Sequence, residues 1–310
     1  MSSMSSMSSM SSMSSMSAKL SKSRIGIFDS GVGGLTIYQA IQSALPDCQY
    51  AYCSDNEFHP YGTKSDEAVA LRTVDVCARF VIAARLDFLV IACNTASTVA
   101  LAALRSKLQI PIVGVVPAIK PAAENSRTGV IGLLATPATI KRPYVDDLIM
   151  KFAGHCQVLR AGSSRLVELA EAKARGNPVD NAAVRDEIKS LFVESSRPAQ
   201  AAQAAQADQS GRLDTVVLGC THFPLLREDL IAAAPWPVQW IDSGEAIAAR
   251  VQQLVRESRN TIKDINASAN EKSLLEKPPT IAWVTRHDSS SAQLEPLMLR
   301  FGFSALRELP

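Results

Sequence analysis

Short runs of β-branched and other apolar residues alternate along this chain with longer stretches whose apolar positions recur at helical spacing. That rhythm predicts an α/β fold with a largely parallel sheet. The predicted strands are Ile25–Phe28, Tyr50–Cys53, Phe88–Ala92, Ile112–Val116, Val130–Leu134, Thr215–Leu218 and Thr280–Val284. The predicted helices are Leu35–Ala44, Ser65–Ala84, Ser97–Leu108, Ala138–Phe152, Ser163–Arg175 and Ala246–Arg259. Ser65, with Glu67 close behind it, reads as the N-cap of the second helix.

Two segments depart from the rhythm. Glu194–Arg212 contains the run AQAAQAAQADQSG, which lacks a sustained apolar stripe and reads as a low-complexity surface insertion. Asn260–Pro279 is a polar interval expected to form an exposed connection. Residues 1–23 begin with repeated Ser-Ser-Met, which has neither the apolar core of a signal peptide nor helical periodicity. A disordered leader is the expectation there.

An internal echo changes the picture from one sheet to two related halves. DFLVIACNTAST at 87–98 and DTVVLGCTHFPL at 214–225 each run from an Asp through a hydrophobic strand into a cysteine followed by polar residues. A fainter echo pairs RIGIFDSGVGG at 24–34 with GVIGLLATPAT at 129–139. Two pseudo-symmetric α/β domains with an active site between them would account for both.

The chain has 310 residues, 47% of them hydrophobic and 20% charged, enough for one large core or two modest ones. A net charge of +2 supplies no basic patch for nucleic acid. The six cysteines, at 48, 53, 77, 93, 156 and 220, form no CxxC pair and no secreted-scaffold spacing, so they read as reduced thiols. No stretch supplies the roughly 20 apolar residues of a membrane span, and a cytoplasmic protein is expected.

Cys93 and Cys220 each fall at the carboxyl end of a predicted parallel strand, where open α/β sheets gather ligand-binding groups. Backbone N–H groups and a helix N-terminus there would favour the thiolate. A cysteine after an apolar strand is ordinarily a small buried hydrophobe. A matched pair with polar neighbours argues for more. Asn94 and Thr95 beside one, and Thr221 and His222 beside the other, offer amide, hydroxyl and imidazole groups able to hold an amino acid's carboxylate and ammonium. His222 could move a proton beside Cys220, or serve as a structural hydrogen-bonding group.

Asp29-Ser30-Gly31-Val32-Gly33-Gly34 joins a strand to a helix, but Thr36 stands where a dinucleotide fingerprint needs its third glycine, and no P-loop lysine follows. Asp29 at the strand end could serve as acid/base, ammonium ligand or N-cap. Phe58–Ser65 reads as a turn-rich loop leading into a helix. With four histidines and no H-E-x-x-H, paired CxxC or EF-hand spacing, no metal is expected.

Taken in order, IFDSGVGGLT (27–36), PYGTKS (60–65), ACNTAS (92–97), GLLATPATIKR (132–142) and LGCTHFPLL (218–226) resemble the signature segments of the glutamate racemases, within the aspartate/glutamate racemase family. The resemblance runs from about Arg24 to the end, outside the two polar segments. It implies two α/β domains with substrate between them: residues 24–115 plus 228–310 carrying Cys93, and 116–227 carrying Cys220. It implies cofactor-independent interconversion of L- and D-glutamate, supplying D-glutamate for peptidoglycan. Cys93 and Cys220 would exchange the α-proton from opposite faces, with Asp29 assisting Cys93 and His222 assisting Cys220. Asp29, Ser30, Tyr61, Gly62, Asn94, Thr95, Thr221 and His222 would contact substrate, with Thr136 and Thr139 as neighbours. GLLATPATIKR and SSRLVELAEAKARG are similar to the proteobacterial branch, some of whose members are activated by UDP-N-acetylmuramoyl-L-alanine. No cofactor, nucleic acid or membrane partner is implied, and a homodimer stays open. So do an aspartate or hydantoin racemase keeping the paired thiols, and a non-catalytic amino-acid-binding protein.

Overall fold

A computed structural model describes residues 23–192, 211–265 and 280–310. It contains ten strands: β1 Arg24–Asp29, β2 Gln49–Ser54, β3 Phe88–Ile91, β4 Ile112–Gly114, β5 Val130–Ala135, β6 Gln157–Gly162, β7 Thr215–Leu218, β8 Gln239–Ile241, β9 Ile281–Val284 and β10 Ala305–Glu308. They form two sheets, with strand orders β10-β9-β2-β1-β3-β4 and β6-β5-β7-β8. Every pairing is parallel. The mixed α/β class with largely parallel sheets is therefore as expected.

Parallel strands need both faces covered, and the alternation along each strand shows how this is met. In the first sheet Ile25 and Ile27 of β1, Tyr50 and Tyr52 of β2 and Val90 of β3 face one core, with Leu35 and Ile41 from helix Gly34–Ala44 and Val251 from helix Gly244–Ile265. Phe28, Cys53, Leu89 and Ile91 face the other, under helices Asp66–Ala84 and Asn94–Lys107. The second sheet repeats the plan. Val130, Leu134, Val216 and Leu218 pack with Leu166 and Ala170 of helix Arg165–Ala174, while Ile131, Leu133 and Val217 pack with Val145 of helix Pro143–Ala153.

Local chemistry sets the boundaries. Ser65 caps helix Asp66–Ala84 by accepting the Ala68 N–H, and Arg85 closes it at φ 49°. The single helix expected at Ala138–Phe152 is two, Pro137–Ile140 and Pro143–Ala153, because Pro143 cannot continue the first and suits the first turn of the second. The helix expected to end at Arg259 runs on to Ile265, since Asn260–Ile265 contains neither Gly nor Pro to stop it. The rest of the Asn260–Pro279 interval, nearly all of the leader and nearly all of the Ala/Gln insertion lie outside the described residues.

One expected boundary is corrected. The return to the first domain was expected after about residue 228, but β8 pairs with β7 in the second sheet. Helix Arg227–Ala233 likewise packs Leu230 and Ala233 into the second sheet's core. The crossing back falls after Ile241, where helix Gly244–Ile265 joins the first core.

Candidate active site

The two sheets bring their carboxyl edges toward one another, and the residues singled out along the chain meet there. Cys93 follows β3 as the N-cap residue of helix Asn94–Lys107, its Sγ accepting the Ala96 N–H at 3.5 Å. The same sulfur lies 3.8 Å from Ser30 Oγ. Burial pushes this thiol up to about 12, and the Asp29 charge adds to the effect, against the Ala96 N–H and the Ser30 hydroxyl.

Cys220 follows β7 and is 8% exposed. No long helix starts there: the turn Phe223–Leu226 is a short 3-10 segment. His222 stands beside the thiol instead, with Nδ1 3.9 Å from Cys220 Sγ and Nε2 2.8 Å from Glu171 Oε1. Burial would depress the His222 imidazole, but the hydrogen bonds to Cys220 and Glu171 lift it well above its ordinary value. Glu171 shows the converse. Burial alone would raise its carboxyl, yet the His222 hydrogen bond and charge, with the Val32 N–H, hold it at about 2. His222 and Glu171 thus form a buried ion pair that places a positive charge beside Cys220.

Asp29, at the end of β1, is fully buried. Its Oδ1 accepts the Gly31 N–H at 2.6 Å and its Oδ2 accepts the Thr221 hydroxyl at 3.0 Å. Burial raises its pKa, opposed by the His222 charge and these two hydrogen bonds. The Thr221 bond ties the two halves together at the site. Four more polar links do the same: Val32 N–H to Glu171, the Thr36 hydroxyl to the Thr221 carbonyl, Arg142 Nη1 to the Thr95 carbonyl, and Arg142 Nη2 to Asp66.

The glycine-rich loop has a role that its sequence did not reveal. A Cβ on Gly33 would lie 2.5 Å from His222 Nδ1 and 2.7 Å from the His222 backbone nitrogen, so the glycine admits the second half's loop rather than a phosphate. Gly62 sits close to Thr136, and Tyr61 is buried with its hydroxyl donated to Asp55 at 2.7 Å. Asp55 also receives Arg72 and Thr285, which anchors the Tyr61 loop to the first sheet. Thr136 and Thr139 share a 2.9 Å hydrogen bond across the first turn of helix Pro137–Ile140. Asn94 Oδ1 is buried with no hydrogen-bond partner, as an acceptor reserved for a ligand would be.

Glu171, Arg142 and Asp55 were missed as candidates. Glu171 and Arg142 read in sequence as ordinary charged residues on or beside a helix and Asp55 as a polar residue just past a strand, and only the fold buries each against a partner. A cavity of about 200 Å³ is lined by Gly31, Ser54, His59, Glu171, Arg175 and Arg286, among others. Neither catalytic candidate cysteine lines it.

Two cysteine sulfurs that follow strands of two different parallel sheets, with Asp29 near one and His222 beside the other, define a paired-thiol site in a two-sheet α/β protein. The chain belongs to the Asp/Glu/hydantoin racemase family, whose model matches residues 25–251. Its relatives narrow the group. Glutamate racemase of Pasteurella multocida is 44% identical over 282 residues, covering 91% of this chain and 94% of that protein. Glutamate racemase of Histophilus somni is 48% identical over 241 residues, covering 77% and 84%. A crystal structure of Escherichia coli glutamate racemase in complex with L-glutamate and activator UDP-MurNAc-Ala is 40% identical, with a TM-score of 0.78 over 93% of this chain and 98% of that one. The family resemblance read from the signature segments is met. Among the described residues no helix is long and apolar enough to cross a membrane.

Proposed function

We propose that this chain interconverts L- and D-glutamate by proton exchange between Cys93 and Cys220. The observation that carries the reading is the placement of the two cysteines. Each follows a strand of a different parallel sheet, and the Thr221–Asp29 hydrogen bond ties the loop after Cys220 to the end of β1, the strand that pairs with Cys93's β3. Substrate held between them would present opposite faces of its α-carbon to the two sulfurs.

One thiolate takes the α-proton, forming an S–H bond as the C–H bond breaks. The electron pair spreads toward the substrate carboxylate, and the opposite thiol returns a proton to the other face. In the reverse direction the two exchange roles. The α-proton is weakly acidic, so donors already aimed at the carboxylate must stabilise the developing charge. Asn94, Thr95 and the Ser30 hydroxyl would do that work, with Asn94 Oδ1 available to the ammonium group and Thr221, its hydroxyl donated to Asp29, beside them. His222, held positive by Glu171, would serve as the proton partner beside Cys220. Asp29 is the carboxylate nearest in effect to Cys93. Tyr61, Gly62, Thr136 and Thr139 would close the substrate's side-chain end.

The D-glutamate formed would feed peptidoglycan synthesis in the cytoplasm. Two further features come from likeness alone: activation by UDP-MurNAc-Ala, as printed for the E. coli protein, and assembly as a homodimer. Solvent-deuterium exchange with L- and D-glutamate tests the core reading. Wild type should exchange both enantiomers, and Cys93→Ser and Cys220→Ser should each lose racemisation by at least about 100-fold. Near-wild-type turnover in either variant refutes the two-thiol mechanism. Faster exchange on aspartate than on glutamate refutes the substrate.

A further inference from the structure

Gly31 lies at the meeting point of three side chains from three separate elements. A carbon built at its Cβ position would stand 2.3 Å from Glu171 Oε1, 3.0 Å from His222 Nε2 and 3.1 Å from His59 Nδ1. The three donor atoms lie within 4.8 Å of one another. His59 Nδ1 is buried and has no hydrogen-bond partner, whereas the other two atoms bond each other. Proton exchange at the thiols gives His59 no task. Two imidazoles and one carboxylate, one of them an orphan nitrogen, form a donor set suited to zinc-class cations.

We propose that His59, Glu171 and His222 form a binding site for a divalent transition metal of the zinc class, and that its occupation reversibly switches off the enzyme. In a tetrahedral zinc site, donor atoms about 2.1 Å from the metal stand about 3.4 Å from one another. The His222–Glu171 pair at 2.8 Å must open slightly, and the widest pair must close by about 1.4 Å at most. Glycine at position 31 leaves the room for this. Arg175 holds the second carboxylate oxygen, Oε2, at 2.9 Å, which orients Oε1 toward the imidazoles. The cavity of about 200 Å³ bordered by His59 and Glu171 gives a path from solvent and space for water as the remaining ligand.

The chemical consequence follows from the tautomer. A neutral imidazole bound through Nε2 carries its proton on Nδ1, the nitrogen facing Cys220. His222 is then fixed in one tautomer by the metal, and its ion pair with Glu171 is broken. The metal would act by sequestering the Cys220 partner and would leave both sulfurs uncoordinated. The sequence concealed the site because the three ligands lie at 59, 171 and 222, with none of the short spacings that mark metal motifs.

The inhibition half of the inference rests on the role given to His222 above; the binding half does not. Co2+ titrated into the reduced wild-type protein should saturate at one equivalent, with a ligand-field spectrum lacking a sulfur-to-cobalt charge-transfer band. Zn2+ should lower turnover by about tenfold or more, EDTA should restore it, and His59→Gln should weaken both binding and inhibition by at least about tenfold while its metal-free turnover stays near wild type. No saturable binding, a sulfur charge-transfer band, or equal Zn2+ sensitivity in His59→Gln would overturn the proposal. Should His59→Gln fail to fold, the wild-type cobalt spectrum and stoichiometry decide. Absence of racemisation in the metal-free protein would instead count against the proposed reaction, and binding would still be read independently.

Discussion

Gly33→Ala isolates the close approach of the two halves, because the backbone there is helical, with φ −59° and ψ −35°, and alanine adopts it without strain. The added methyl would sit 2.5 Å from His222 Nδ1 and 2.7 Å from the His222 backbone nitrogen, against ordinary contacts of 3.4–4 Å. The imidazole could turn aside, but the backbone nitrogen cannot. The Thr221–His222 segment must therefore recede by roughly 0.7 Å or more, at an overpacking cost of about 1–3 kcal/mol. Loss of glycine's freedom in the unfolded chain offsets only about 0.4–1 kcal/mol of this. The same shift stretches the 3.0 Å Thr221–Asp29 hydrogen bond and draws Cys220 away from the substrate. Misplacement on the scale of 1 Å costs about 100-fold in rate. Turnover of L-glutamate, followed by circular dichroism, should fall by about that factor in folded protein, and the urea midpoint should drop. Turnover within threefold of wild type and an unchanged midpoint would refute the idea that Gly33 sets the distance between the halves.

Glu171→Gln should lower turnover by about 10–100-fold with a smaller change in KM, because Glu171 acts through His222 and does not touch substrate. The same variant reports on acid stability. Glu171 is held at about 2 against an ordinary 4.5, so its contribution is complete above about pH 4.5 and is lost as pH falls toward 2. At about 1.4 kcal/mol per tenfold change in proton affinity this is about 3 kcal/mol. The wild-type advantage over Glu171→Gln in urea unfolding should shrink as pH falls from 5 to 3; a constant gap would contradict the ion pair. Cys93, pushed up to about 12 by burial and then by Asp29, should be alkylated by iodoacetamide about tenfold faster per pH unit from 7 to 9. Asp29→Asn should speed that alkylation at fixed pH, as peptide mass spectrometry would show, and a slower reaction would remove Asp29 from the thiol's electrostatics.

Much of this site was legible because its chemistry is local to strand ends. An apolar run followed by a cysteine and small polar residues can be read twice in the chain, and both copies fold as read. What escaped was set by tertiary contact or by edge position. The strand Gln157–Gly162 is largely part-exposed, and β8 and β10 are short, so none of them carries the buried apolar run by which central strands are recognised. The missed pairing of β8 displaced the expected domain crossing. Glu171 lies on a helix whose alternating charges suggest a solvated face, yet it is 6% exposed.

The glycine-rich loop shows most clearly why local reading stops short. Glycines after a strand and before a helix are compatible with a bound phosphate, a tight turn or another part of the protein, and nothing within ten residues distinguishes them. The deciding atoms belong to Glu171 and His222, contributed by the other sheet's half. In the proposed reaction Gly33 and Gly31 would not bind the substrate; they would let one half of the protein bring His222 beside Cys220. Substitutions at these glycines should therefore resemble defects at His222 in their kinetics, with turnover falling more than glutamate affinity, and a pure KM effect in Gly33→Ala would place the loop on the substrate instead.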